Sequence, residues 1–199
     1  MSDDTLAGLM ERFERYMAMA FKVCLPGVVV QYDHTQQRAQ VRVGVRERYR
    51  DGRQDPSPVI SNVPIIFPRS GGASFTMPVV RGDTVLVLFA DRSIETWLDT
   101  ASGEADSNDW RRHDINDAIA IPGLLPFARG SMSDNNDDVL LTYAGSEVRI
   151  QSSGTISMQA GGSSVTMGAD GAVTIASAGD LNLNAGGDVV VTGGQFSWN

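Results

Sequence analysis

From Val139 onward, aliphatic pairs separated by one residue recur on a nearly fixed period, and this pattern restricts the fold more than any other feature of the sequence. The pairs are Val139/Leu141, Val148/Ile150, Ile156/Met158, Val165/Met167, Val173/Ile175, Leu181/Leu183 and Val189/Val191, at successive offsets of 9, 8, 9, 8, 8 and 8 residues. A spacing of two puts both members of a pair on one face of a short extended strand. Glycines fall between the pairs, from Gly145 and Gly154 to Gly193 and Gly194, where the chain must turn. A face of this kind must be covered, and residues 139–199 hold no helical segment to cover it. A solenoid wound by one chain is one answer, but eight residues scarcely close a coil with several faces. The other answer is several identical chains, each supplying one face of a shared prism. Three chains would gather roughly 42 aliphatic side chains on one axis, each contributing about 1.5–3 kcal/mol if fully buried, before the entropy of ordering is subtracted. The pattern therefore predicts a homotrimeric intertwined β-helix over 139–199, with the paired residues as its core. Half of a β-sandwich or a low-complexity tail is the blander reading, and seven in-phase pairs argue against both.

Composition changes sharply at the repeat. Residues 145–199 hold 11 of the 21 glycines, no proline and only five charged side chains, whereas all eight prolines and both histidines precede them. Two architectures in one chain are expected. The whole chain has 199 residues and a net charge of −8, with Lys22 its one lysine, which disfavours a protein that tracks a nucleic-acid backbone. A single cysteine, Cys24, excludes an internal disulfide framework and a cysteine-rich zinc site. Cys24 itself is expected to be a small buried side chain. No secretory signal and no apolar run long enough to span a bilayer are read from the sequence.

Residues 22–100 read as a small all-β barrel. Strand-like runs cover Val28–Tyr32, Ala39–Arg46, Val59–Phe67, Ser74–Met77 and Thr84–Phe89, separated by turn formers such as Asp51-Gly52, Gly71-Gly72 and Arg81-Gly82-Asp83. Five strands and one broader excursion fit a Greek-key barrel of the OB type, although another small barrel fits nearly as well. Residues 101–138 read as an irregular bridge and linker containing one more short strand, Ala118–Leu125. Residues 1–21 read as a short amphipathic helix capped by Asp3 or Asp4, with Leu6, Leu9, Met10, Phe13, Tyr16, Met17 and Ala20 on one face. So short a terminal helix must pack on something, either its own domain or another protein.

A small barrel followed by a glycine-punctuated octad repeat resembles the central spike proteins of contractile phage tails. The stretch Arg81-Gly82-Asp83-Thr84-Val85-Leu86-Val87-Leu88-Phe89 with Asp91-Arg92-Ser93-Ile94-Glu95-Thr96-Trp97-Leu98 is similar to the N-terminal OB domain of that family. Gly27-Val28-Val29-Val30 with Ala39-Gln40-Val41-Arg42-Val43 is similar to its first hairpin. The resemblance implies a trimeric needle in the virion baseplate, made in the host cytoplasm and driven through the bacterial outer membrane when the sheath contracts. It also implies a baseplate hub protein as partner, docked through the barrel and through Leu6, Leu9, Phe13, Tyr16 and Met17. Many such spikes end in a His-x-His pair that builds an iron site from three chains. Here the sequence ends Gly193-Gly194-Gln195-Phe196-Ser197-Trp198-Asn199, with no histidine after His113, so no tip iron and no other cofactor is expected. Phe196 and Trp198 then either plug the trimer axis or seat a separate tip-cap protein.

Catalytic patterns are weak. No segment is large or helical enough to house a lysozyme-type carboxylate cleft, and two histidines without a nucleophile elbow give little support to a triad. His34 and His113 are expected in exposed loops. The acidic stretch Asp134–Asp138 lacks the spacing of a calcium loop and reads as a solvated linker. The expected function is thus mechanical, without enzymatic activity. One alternative is a cell-surface glycan-binding module on a β-helical stalk, with Tyr32, Tyr49, Phe67 and Phe75 as the aromatic candidates on the barrel. A secretion-system spike is disfavoured because it would carry a far larger hub.

Overall fold

The computed structural model describes residues 5–46, 52–106 and 109–195. They form two compact units, Met1–Gly130 and Ser131–Asn199. The first opens with α1 (Leu6–Ala20). Thr5 caps this helix, its hydroxyl oxygen accepting from the Gly8 N–H at 3.2 Å, which satisfies one of the donors a helix start leaves free. The expected caps Asp3 and Asp4 lie outside the described residues.

Alternation of β-branched residues then builds β1 (Cys24–Asp33), β2 (Arg38–Val43), β3 (Val59–Pro64), a short hairpin of β4 (Arg69–Ser70) and β5 (Ala73–Ser74), and β6 (Thr84–Phe89). After a long connection with the short helix α2 (Glu95–Leu98) comes β7 (Ala118–Pro122). The main sheet runs β3-β2-β1-β6-β7, with antiparallel neighbours throughout. A parallel bridge joins Ile65, just beyond β3, to Ala120 of β7, and the Ile66 N–H donates to the Ala120 carbonyl at 2.9 Å. The sheet is thus a half-barrel whose two edges meet at one point.

The structure corrects the expected strand set. Ser74–Met77 supplies only β5, and the fifth strand of the half-barrel is β7, from the segment read as a bridge. β6 offers a full ladder edge, pairing Val85 with Pro122 through to Phe89 with Ala118. Of the Ser74–Met77 run only Ser74 enters a ladder, opposite Arg69, across a turn in which Gly71 and Gly72 both have positive φ. Cys24 is exposed rather than buried. Period two explains it: Gly27 and Val29 face inward, Leu25 packs against the core, and Cys24 falls on the other face.

Val29, Ala39, Val41, Val43, Ile60, Val63, Val85, Val87, Phe89, Ala118 and Ala120 fill the concave face, joined by Ile65, Phe67 and Val79. Gly27 lies opposite Val43 on one side and Val85 on the other. A Cβ built there would stand 2.6 Å from Val41 Cγ1 and 2.7 Å from Val87 Cγ2, so this crossing admits no side chain. Both neighbours are fully buried and cannot move aside.

The second unit is an antiparallel meander of β8 (Val139–Tyr143), β9 (Ser146–Ile150), β10 (Ile156–Ala160), β11 (Ser163–Met167) and β12 (Val173–Ala176), each paired with the next. Short and long connections alternate. Ala144-Gly145 and Gly161-Gly162 make two-residue turns with positive φ at both positions, the geometry that matches strand twist. Residues 151–155 and 168–172 make the wider ones, closed by hydrogen bonds from Gln151 N–H to Thr155 and from Gly168 N–H to Ala172. This alternation is the physical origin of the offsets of 9 and 8. The last two aliphatic pairs, Leu181/Leu183 and Val189/Val191, lie in no strand. An intertwined β-helix is therefore not what the single chain displays.

Gly27→Ala is expected to destabilise the half-barrel by about 1–3 kcal/mol through overpacking, read as a lower denaturant midpoint with an unchanged slope.

Candidate functional site

The meander brings the predicted core residues together. Val139, Ile150, Ile156, Met167 and Val173 stand side by side across the five strands, and Leu141, Val148, Met158, Val165 and Ile175 form a second row two residues along. Both rows lie on one face. Among the described residues no second layer covers it: Val139 is 66% exposed and Val173 65%, and most of the other row members are also exposed. A groove of about 480 Å³ follows the second row, walled by Leu141, Met158, Ile175 and Leu181. Leu181 is thus brought to the rows, while Leu183, Val189 and Val191 are exposed outside any strand. Phe196 and Trp198, the expected tip, lie outside the described residues.

The opposite face carries Arg149, Ser157, Thr166 and Thr174 in one row and Glu147, Gln159 and Ser164 in the next. Arg149 is the hub of an ion cluster. Its guanidinium reaches Asp134 at 2.5 Å, Glu147 at 2.7 Å and Asp138 at 3.0 Å, with its side chain only 13% exposed. Hydrogen bonds from Glu147, Asp134 and Asp138 hold the guanidinium strongly protonated. In return, the bond donated by Arg149 lowers the Asp134 pKa. Asp138 is lowered first by the Ser152 N–H and then by Arg149. The acidic stretch read as a solvated linker is therefore clasped to β9 by a guanidinium, and it belongs with the second unit. The readable signal was a lone arginine in a charge-poor repeat. Among the described residues no cluster of three His, Cys, Asp or Glu side chains is placed to hold a metal ion.

On the first unit, the stripe proposed for docking is uncovered, with Leu6, Leu9, Met10, Phe13 and Tyr16 all exposed along α1. The four aromatic candidates for sugar contact do not form a common surface. Phe67 is buried in the core and Tyr32 packs against it, because both fall on inward or flanking positions of the half-barrel. Phe75 is exposed, and Tyr49 lies outside the described residues. His34 is exposed, whereas His113 is not a free loop residue. Its Nδ1 lies 3.1 Å from the Lys22 carbonyl, its Nε2 3.3 Å from Asp91, and its ring meets Phe21 edge-on at 5.1 Å.

Residues 25–123 match the family described as the phage protein Gp138 N-terminal domain. This segment belongs to that phage family. The match starts one residue into β1 and stops one residue past β7, so the Gp138 N-terminal domain coincides with the half-barrel and includes the long connection before β7. It covers neither α1 nor the C-terminal sheet. No curated protein matches the chain. Among the described residues no helix is long and apolar enough to cross a membrane.

The clasp has a pH signature. The folded pKa values of Asp134 and Asp138 lie below those of the unfolded chain, so their contribution is complete above the ordinary carboxylate range near about 4 and is lost as pH falls through the lowered folded values. Arg149→Met is expected to melt at lower temperature than the parent at neutral pH, and to lose less on further acidification to about pH 3. Thermal melts followed by circular dichroism across that range check both.

Proposed function

We propose that this phage protein is a mechanical component of the virion: a homotrimeric spike of a contractile tail baseplate that is driven through the bacterial outer membrane and has no enzymatic activity. The observation that carries the reading is the pair of in-register aliphatic rows left bare on a one-layer sheet. Burial of such rows is the dominant favourable term open to this segment, and exposed apolar rows of this size mark a surface that a partner covers. A second copy presents an identical face, and the resemblance to central spikes gives the number three. Three sheets with their aliphatic faces turned inward would form a prism whose outside carries mostly Ser, Thr and Gln, with Leu140 and the clasped Arg149 cluster near its start. The charges on that outside are paired with one another, as suits a body that must slide through an envelope.

In this reading the Gp138 N-terminal domain and the apolar stripe of α1 face the baseplate, where a hub protein covers Leu6, Leu9, Phe13, Tyr16 and Met17. The far end carries Phe196 and Trp198, which seat a small tip-cap protein in place of an iron site. Contact with the outer membrane is transient, no cofactor takes part, and the work comes from the sheath. The protein supplies stiffness.

Light scattering coupled to size exclusion tests the assembly. The full chain is expected at about three times its 21.3 kDa mass, with an elongated profile. Met158→Asp, which places a carboxylate in the middle of the second row, is expected to return the mass to that of one chain while the half-barrel stays folded. A parent chain that runs as a compact monomer overturns the reading.

A further inference from the structure

β12 is the last strand of the meander, and its outer edge has no ladder partner among the described residues. The aliphatic period continues beyond it. Leu181/Leu183 and Val189/Val191 follow Val173/Ile175 at a repeated offset of 8. Yet residues 177–195 lie in no strand, and 181–195 make no backbone–backbone hydrogen bond among the described residues. Leu183 is 71% exposed and Val191 63%. An open ladder edge is thus followed directly by a strand-patterned segment that has no ladder.

The chain is bent where a continued meander needs it. The Ala178 N–H donates to Ser163 Oγ at 3.1 Å, which holds the exit from β12 against β11. The Ser177 hydroxyl donates to the Asp180 carbonyl at 3.3 Å across a bend at Ala178-Gly179. This reversal brings Leu181 back beside Ile175 on the aliphatic groove. A second bend falls at Gly186-Gly187, between Leu183 and Val189. An antiparallel continuation then sets Ile175 opposite Leu181 and Val173 opposite Leu183, followed by Leu181 opposite Val191 and Leu183 opposite Val189. That register keeps every aliphatic pair on the face of the existing rows and puts Asn182 and Val190 in line with Thr174 on the other.

The single chain lacks what would hold these strands. In the formed hairpins Gly145, Gly161 and Gly162 sit at positive φ, whereas among the described residues no glycine after Gly171 does. Arg149 clasps β9, but the only charged residues in 177–195 are Asp180 and Asp188, so no such clasp is available there. Ordering a strand costs backbone entropy that burial of its apolar face must offset, and a one-layer sheet does not supply that burial.

We propose that residues 181–191 form two further strands on the open edge of β12 only when copies of this chain cover the aliphatic face, so that the end of the meander folds as the assembly forms. The edge is taken by the chain's own Leu181–Asn184, and the cover is a second copy. A copy presents rows of the same period and length, so it covers the added pairs in step with those of β8 to β12. The inference rests on the trimeric reading and adds to it a folding step coupled to association.

Hydrogen–deuterium exchange of the full chain, read by mass spectrometry beside light scattering, tests it. In the assembled parent, peptides spanning Leu181–Asn184 are expected to exchange at least about a hundredfold more slowly than an unstructured peptide of that sequence. In monomeric Met158→Asp the same peptides should exchange at the unstructured rate. The Thr84–Phe89 strand of the half-barrel should stay protected in that variant, which separates loss of assembly from loss of fold. A parent that scatters as a trimer but exchanges 181–191 freely overturns the inference and leaves the trimeric reading standing. Protection that survives in a monomeric chain also overturns it, since no second copy would then be needed. A monomeric parent without protection overturns both.

Discussion

The architecture turns on one constraint: a strand that alternates aliphatic and polar residues has a face that must leave water. In the half-barrel the constraint is met internally. Curling the sheet until Ile65 reaches Ala120 brings inward residues of all five strands against each other, and Val41, Val85 and Val87 end with essentially no exposure. In the C-terminal meander the same alternation produces a five-stranded ribbon whose aliphatic rows stay largely exposed among the described residues. The same local chemistry thus has two outcomes, separated by whether the sheet can bend back on itself.

Bending has specific instruments. The register of β1 against β2 slips between Val29 and Gln31, and that of β2 against β3 slips at Ser61-Asn62. Each slip adds local twist, and together they let a narrow sheet curve. Gly27 removes a side chain at the most crowded crossing. The meander has no such slips: its four pairings run residue for residue between tight glycine turns. Its regularity and its bare face have the same origin.

Much of this was legible in the residues. The aliphatic pairs of 139–175 became β8 to β12 with both members on one face, because period two depends on pleat alone. The half-barrel strands β1, β2, β3 and β6 were visible for the same reason. What failed was whatever depended on pairing across distance. Ala118–Pro122 has the composition of a strand, but nothing near it in the chain shows that its partner is Thr84–Phe89. Ser74–Met77 has strand-like residues and lacks a free ladder to join. The clasp of Arg149 on Asp134 and Asp138 was hidden likewise, since it joins segments whose meeting is decided by topology. Residue type alone does not place an aromatic on a surface, as the burial of Phe67 in the half-barrel core shows.

The bare aliphatic rows also bear on how this protein can be studied. A layer completed by another polypeptide draws part of its folding free energy from association, so its stability carries a logarithm of protomer concentration that no intramolecular core has. Under the trimeric reading proposed above, the two units of this chain answer dilution differently, the half-barrel indifferent to it and the meander loosened by it. A single melting temperature quoted without a concentration would average two distinct kinds of thermodynamics.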